Sequence, residues 1–311
     1  MGSYVPASLS VAAALGAALL LVLLAGRLLT RATAWTLLLV GTVGVERLTA
    51  AEPPGFRMLA LIAFALLSLK CIVVVEERAS GMEPLSFRSW LGFAAGWLGM
   101  QPRLFARPRR GPLPGSSALL ASGAVHLAIG ALLVLAARLA WTATHSRLLA
   151  TLLLLPGLSF AVHFGLCSLL AGLWRRLGVP CEALFRAPLR SKSLAEFWGR
   201  RWNLAFSEMT AIAVYRPLSA RLGRAPALLA SFLLSGLLHE MAISLPVRAG
   251  FGLPFLYFAL HGALVLAERV RPSLAGRIWT LAALVLPLPI LFHRPFLEGI
   301  AWPLIGIEPG S

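Results

Sequence analysis

Long apolar runs separated by short basic connectors dominate the chain, and several approach the roughly 20 residues that a helix needs to cross a hydrocarbon layer. Residues 7–25 form the first run, with no Lys or Arg before it and with Arg27 and Arg31 after it. The missing basic n-region argues against a cleaved signal peptide, although Ala32-Thr33-Ala34 is cleavage-like. A second run, 34–45, reaches span length only by extending past Glu46 and Arg47, and the Glu52-Pro53-Pro54-Gly55 turn closes it. Residues 56–75 predict a third span, with Lys70 near its end and able to snorkel, and Glu76, Glu77 and Arg78 marking its exit.

The stretch 85–100 sets Phe87, Trp90, Phe93 and Trp97 on an aromatic face too short and broken to cross, which predicts an interfacial or re-entrant helix. A basic loop follows, with Arg103, Arg107, Arg109 and Arg110 among prolines and glycines. Spans are predicted at 117–141 and 148–174, the latter kinked at Pro156-Gly157. The basic stretch 175–201 then leads into 204–214, which is apolar but short, and Arg216-Pro217 is expected to end it as a half-helix or re-entrant hairpin. Further spans are predicted at 225–245, 251–267 and 278–292. The pattern is that of an all-α polytopic transmembrane protein with about eight spans plus re-entrant or interfacial helices.

Composition agrees, because 59% hydrophobic and 13% charged residues with a mean hydropathy of +0.82 exclude an ordinary soluble fold. A net charge of +16 raises the question of nucleic acid, but no soluble domain remains to carry a docking surface. Instead the basic residues sort by loop and meet membrane lipid headgroups. The segments holding Arg27/Arg31, Arg103 to Arg110, Arg175 to Arg201, Arg216 to Arg224 and Arg269 to Arg277 fall on one side, read as cytoplasmic. The opposite loops hold only Arg47, Arg57, Arg138, Arg147, Arg248 and Arg294, so both termini are expected outside. Cys71, Cys167 and Cys181 have neither CxxC spacing nor a disulfide framework, and no internal repeat of the transporter kind occurs.

Two polar islands interrupt this background. Phe197-Trp198-Gly199-Arg200-Arg201-Trp202-Asn203 puts two guanidinium groups and a carboxamide among indole rings, and Ser235-Gly236-Leu237-Leu238-His239-Glu240 lies inside an apolar run. Charges and amides at membrane depth persist only when paired or facing a cavity. A neutral His239, with Ser235 and Gly236 on its helical face, suits a general base; the competing reading is a structural histidine bonded to a neighbouring helix. Glu240 projects about 100° away and is read as a partner for a basic residue. Asn203 can donate to a carbonyl oxygen, and Arg200 and Arg201 can hold an anionic headgroup or phosphate. The same cluster also reads as an interfacial Trp/Arg anchor.

His261 and Glu268 share a face of the next span. His261 is a candidate for a cavity wall, and Glu268 is expected to pair with Arg269 or Arg271 at the membrane edge. His126, His145, His163 and His293 are read as structural or interfacial. A phosphate-cradling GxxxxGK[ST] loop, an HExxH pair, a close Cys/His set and a GxSxG elbow are all absent, so no metal site and no cofactor are expected.

The two islands resemble the signature of the wax synthase branch of the membrane-bound O-acyltransferase (MBOAT) superfamily, in which a similar FWGRRWN segment precedes a downstream S-G-x-x-H-E segment. Leu260-His261-Gly262 with Glu268 looks like the family's next helix. The likeness is strongest over 193–268, within a single integral membrane acyltransferase domain spanning 1–311 with an MBOAT-like fold. It implies transfer of a fatty acyl group from acyl-CoA, as co-substrate, to the hydroxyl of a lipophilic alcohol, forming an ester. It places the catalytic roles on His239 and Asn203; Trp198, Arg200, Arg201, Trp202, Ser235 and His261 are expected to contact substrate, with Arg190 or Lys192 joining the arginines at the CoA. The direct-transfer scheme it implies uses no cysteine nucleophile. A sterol or terpenoid alcohol is the alternative acceptor. A non-catalytic lipid-binding or transport protein, with the islands lining a permeation path, is the alternative of another class.

Overall fold

In the computed structural model, which describes residues 5–308, the regular structure among the described residues is helical. Six helices are long and apolar enough to cross a membrane, or seven if a bent C-terminal pair counts as one. The chain is therefore an all-α polytopic membrane protein. The first of the six, residues 9–28, falls on α1 (Val5–Ala25) and the turn after it, and α2 (Arg31–Leu48) follows. Helix α3 (Pro54–Ala79) crosses through the centre and has most of its length buried. The short α4 (Phe87–Gly96) falls on the stretch expected to form an interfacial or re-entrant helix, and its Trp90 and Phe93 are fully buried.

Lys70 departs from expectation. It does not snorkel: its side chain is wholly buried, Nζ donates to the Gly99 carbonyl and lies 3.9 Å from the Phe93 ring centroid. The loop after α4 turns inward here, so the ammonium is closer to a backbone carbonyl and a π-face than to the headgroups.

Helix α5 (Ser116–Thr144) pairs with α6 (Arg147–Ser159), a π-helical turn over Phe160–Leu166, and α7 (Cys167–Arg176). Small residues let the two arms touch: a Cβ added at Gly130 would lie 2.5 Å from the Ala161 nitrogen, and one at Gly123 2.8 Å from that of Leu169. Pro156 sits inside α6 as expected, and the irregularity it introduces is followed by the π-turn.

A one-turn α8 (Leu194–Glu196) opens the first polar island, and α9 (Leu204–Thr210) closes it. Helical structure does not stop at Arg216-Pro217. It runs on through a π-turn, Ala211–Tyr215, into α10 (Arg216–Leu222), and the change of hydrogen-bond pattern at the π-turn lies directly before Pro217. Gly223, with φ +86°, makes the turn into α11 (Arg224–His239), which continues through a π-turn, Glu240–Ser244, into the short α12 (Leu245–Val247). Helix α13 (Leu253–Val270) packs back along α11. The last predicted span is broken: α14 (Arg277–Val285) and α15 (Leu288–Leu291) are followed across a 68° bend at His293 by α16 (Arg294–Phe296) and its π-helical extension.

Candidate functional site

The first island is held by a carboxylate from another helix. Glu268, buried on α13, accepts from the backbone N–H of Leu194 (3.0 Å) and Ala195 (3.4 Å) and from Trp279 Nε1 (3.1 Å). The expected pairing with Arg269 or Arg271 is absent among the described residues. Glu268 instead meets the uncompensated donors at the start of α8, with the Ser193 hydroxyl accepting a further N–H there, from Glu196. Glu196 in turn accepts from the Lys192 N–H (2.8 Å) and from Arg201 Nε (2.7 Å), which hold its carboxyl below the usual carboxylate range. Arg201 also donates to the Arg186 carbonyl (3.2 Å), so its guanidinium is largely used in fixing the loop. Arg200 is exposed, with no protein partner among the described residues.

Between these anchors Phe197–Arg201 forms a π-helical turn, and backbone bonds from Arg186 N to Arg201 O (2.8 Å) and from Leu204 N to Leu184 O (2.9 Å) tie it to the preceding loop. The turn ends at Asn203, in the left-handed region at φ +43°, a conformation that Asn tolerates better than most residues. Asn203 caps α9, with Oδ1 accepting from Phe206 N (3.3 Å). Since only Oδ1 can accept an N–H, the amide orientation is set. Nδ2 is left as a donor without a protein partner among the described residues.

The second island is positioned by close helix packing. A Cβ on Gly236 would sit 3.0 Å from the Phe255 Cα, and one on Gly262 3.0 Å from the Phe232 Cβ, so small residues from both partners let α11 and α13 cross tightly. His239 then lies between two rings, 4.1 Å from Phe258 and 5.6 Å from Phe206 by centroid. Its Nδ1 is 2.7 Å from the Ser235 carbonyl. A carbonyl only accepts, so Nδ1 carries the hydrogen and Nε2 carries the lone pair, with no protein partner among the described residues.

Phe206 thus joins the islands, its N–H on Asn203 and its ring on His239. A second route runs from Trp198 to Phe258 (5.5 Å) and on to His239. Trp198 also stands edge-on to His261 (5.4 Å). His261 is fully buried, with Nδ1 on the Tyr257 carbonyl at 2.7 Å and Nε2 unpartnered; Trp198 Nε1 is likewise buried without a partner. Trp202 lies apart from these, stacked on Phe197 (5.5 Å) and edge-on to Phe185 (5.0 Å) and His163 (5.3 Å).

Glu240 departs from expectation. It forms no ion pair with an Arg or Lys among the described residues; Oε1 accepts from Phe255 N (3.0 Å) at the start of α13, where the helix dipole favours a negative charge. Cys181, buried in the loop before the first island, has its thiol pushed up to about 12 by burial. Two surface cavities, of about 620 and 380 Å³, lie away from this centre, and neither is lined by His239 or Asn203.

Sequence reasoning missed Phe206 and Phe258, whose only signal was aromatic character near the islands. It also missed the 184–186 strip that pairs with the first island.

The model of the membrane bound O-acyl transferase family matches residues 181–260. The chain is 33% identical over 112 residues to the long-chain-alcohol O-fatty-acyltransferase of Simmondsia chinensis, covering 33% of this chain and 32% of that protein. It is 36% identical over 99 residues to a probable long-chain-alcohol O-fatty-acyltransferase 6 of Arabidopsis thaliana, covering 30% and 29%. It is 30% identical over 89 residues to the acyl-CoA–sterol O-acyltransferase 1 of the same plant, covering 26% of each. Residues 181–260, about a quarter of the chain, are thus similar to the membrane bound O-acyl transferase family.

The matched stretches span about a third or less of the length of these relatives. The family segment begins at Cys181, earlier than the expected 193, and so takes in the strip that braces the first island. It holds both islands and ends at Leu260, just before His261; Glu268, which anchors α8, lies beyond it.

Proposed function

We propose that this chain is an integral membrane O-acyltransferase that moves a fatty acyl group from acyl-CoA to the hydroxyl of a lipophilic alcohol. The names of its relatives in the membrane bound O-acyl transferase family support this class of reaction. The observation that carries the site assignment is the His239 tautomer: Nδ1–H is committed to the Ser235 carbonyl, and Nε2 is free to take a proton. In the proposed step Nε2 removes the alcohol proton as the alcohol oxygen attacks the thioester carbon. Asn203 Nδ2 donates to the carbonyl oxygen as it gains charge. The C–S bond then breaks, and the CoA thiolate takes the proton back from Nε2. No covalent enzyme intermediate is needed, which suits a chain whose three cysteines are all buried.

Trp198 and His261 form the wall beside the base, and Ser235 sets its tautomer. Trp202 supports the loop from its far side. Arg200, with Arg190 and Lys192 nearby, meets the CoA, while Arg201 acts chiefly through Glu196. In this reading the arginine-rich connectors face the cytoplasm, where CoA is available. The 204–214 segment enters the membrane without crossing, and α2 is an eighth span. Ion pairs support the last point. Arg31, at the start of α2, meets Glu76 at the end of α3 at 2.6 Å, and Glu46, near the end of α2, meets Arg57 at the start of α3. The two helices therefore run side by side for their full length.

The test is ester formation from radiolabelled acyl-CoA and a panel of long-chain alcohols and sterols, using purified protein in lipid. His239→Ala is expected to lower turnover at least about 100-fold, the order of a lost general base. Full activity in a folded His239→Ala protein rejects the general-base role, and no ester with any panel member rejects the reaction class.

A further inference from the structure

Where α10 turns into α11 and α13 ends, a cleft of about 620 Å³ is lined by Tyr215, Ser219, Ala220, Arg224 and Arg269. Its charge is unbalanced. Four arginines at this end of the helices have acidic partners, Arg31 on Glu76, Arg103 and Arg216 on Glu77, and Arg201 on Glu196, whereas others, such as Arg200 and Arg271, have none among the described residues. Arg224 and Arg269 have no hydrogen bond or ion pair among the described residues, and no acidic side chain lines the cleft. The nearest acid in sequence, Glu268, is committed to the N–H groups of Leu194, Ala195 and Trp279. The cleft also receives the N-terminus of the 16-residue α11, which has no side-chain cap and no acidic residue in its first turn. Two unpaired guanidinium groups, an uncapped positive helix end and the Tyr215 hydroxyl together favour a dianionic oxygen ligand.

We propose that this cleft binds a phosphate group. Two sources share that chemistry, the phosphates of coenzyme A and the headgroup of an anionic phospholipid. Geometry favours the first, a choice that rests on the acyltransferase reading. Arg224 and His239 are the two ends of α11, 15 residues or about 22 Å apart, and Arg269 lies about 12 Å along α13 from His261. An extended pantetheine arm spans such a distance, so phosphates held at the cleft would let the thioester reach the base. This assigns the phosphates to Arg224 and Arg269, on the helices that carry the two histidines, in addition to Arg200 on the loop.

The experiment uses the full chain in nanodiscs and measures binding of free coenzyme A, and separately the retention of phosphatidylglycerol over phosphatidylcholine by mass spectrometry of the purified protein. The variants are Arg224→Gln with Arg269→Gln, and Arg221→Gln as an exposed control outside the cleft. Both cleft arginines are exposed, so their loss leaves the fold intact. Weakening of coenzyme A binding by tenfold or more in the double variant, about 1.4 kcal/mol, with the control unchanged, supports the coenzyme source. Unchanged coenzyme A binding with lost phosphatidylglycerol selectivity supports the headgroup source. If neither changes, or the control changes as much, the cleft is not a phosphate site. Coenzyme A binding needs no turnover, so His239→Ala, which is expected to keep it, separates failure of this proposal from failure of the catalytic one.

Discussion

Asn203 carries two duties in one side chain. Its Oδ1 caps α9 through Phe206 N, its backbone occupies the left-handed region, and its free Nδ2 points to the proposed role at the acyl carbonyl. Replacement by Ala removes all three features together: the cap, worth about 1 kcal/mol, the tolerance of positive φ, worth about 1–2 kcal/mol, and the donor. Replacement by Gly keeps the backbone conformation at little cost and removes only the carboxamide. We therefore expect Asn203→Gly to retain nearly the thermal stability of the parent while losing activity by about 10²-fold, the order of a lost oxyanion donor. Asn203→Ala should lose both. If the Gly variant is stable and fully active, the carboxamide is a cap and nothing more. The two outcomes are read from a melting curve and an esterification assay on the same samples.

At the scale of elements, the crossing of α11 and α13 and the stapling of α8 to α13 bring the two islands together. Periodicity and length made the long helices legible, since an apolar run of span length has few alternatives in a membrane. The islands were legible as well, because buried polar groups in such a background need a reason. Their joint was not, since it depends on rings three residues beyond Asn203 and three before His261, and an aromatic in an apolar helix carries no sign of its neighbour. Glu268 was misread for a related cause: adjacent arginines in sequence suggested an ion pair, whereas the unbonded N–H groups at the start of α8 are strong donors that sequence does not display. Lys70 was misread because an inward-turning loop, 29 residues on, supplies its acceptor.

Charged hydrogen bonds contribute about 1.5–3 kcal/mol each, and Glu268→Gln weakens those from Leu194 and Ala195 at the start of α8, and the one from Trp279 on α14, without opening a cavity. Local opening near α8 should rise roughly tenfold per 1.4 kcal/mol lost. Trypsin cleavage after Arg190 and Lys192, both exposed, should accelerate by at least about tenfold, with helical content unchanged and esterification reduced. Cleavage at the parental rate would mean that the carboxylate is a passenger.

Over the whole molecule, one set of charged contacts sits at each end of α3. Arg57, in its first turn, meets Glu46 and the backbone carbonyls of Leu245 and Pro246, while Arg248 reaches the Ala50 carbonyl at 3.0 Å. At the other end Glu76 and Glu77 collect Arg31, Arg103 and Arg216. The partition is the same one that the loop charges predict, with Arg248 and Arg57 on one side and Arg31, Arg103 and Arg216 on the other. A side rich in Lys and Arg is retained in the cytoplasm. Introduced cysteines can report the orientation, because Cys71, Cys167 and Cys181 are all buried and give a low background. In intact cells an impermeant maleimide should label Thr144→Cys, at the far end of α5, and should reach Arg110→Cys and Ser273→Cys only after permeabilisation. The opposite pattern would put Arg200 and the phosphate cleft on the face away from coenzyme A, and the acyltransferase reading would then lose its donor. Equal labelling of Thr144→Cys and Arg110→Cys without permeabilisation would mean that α5 does not cross, and the span count itself would fall.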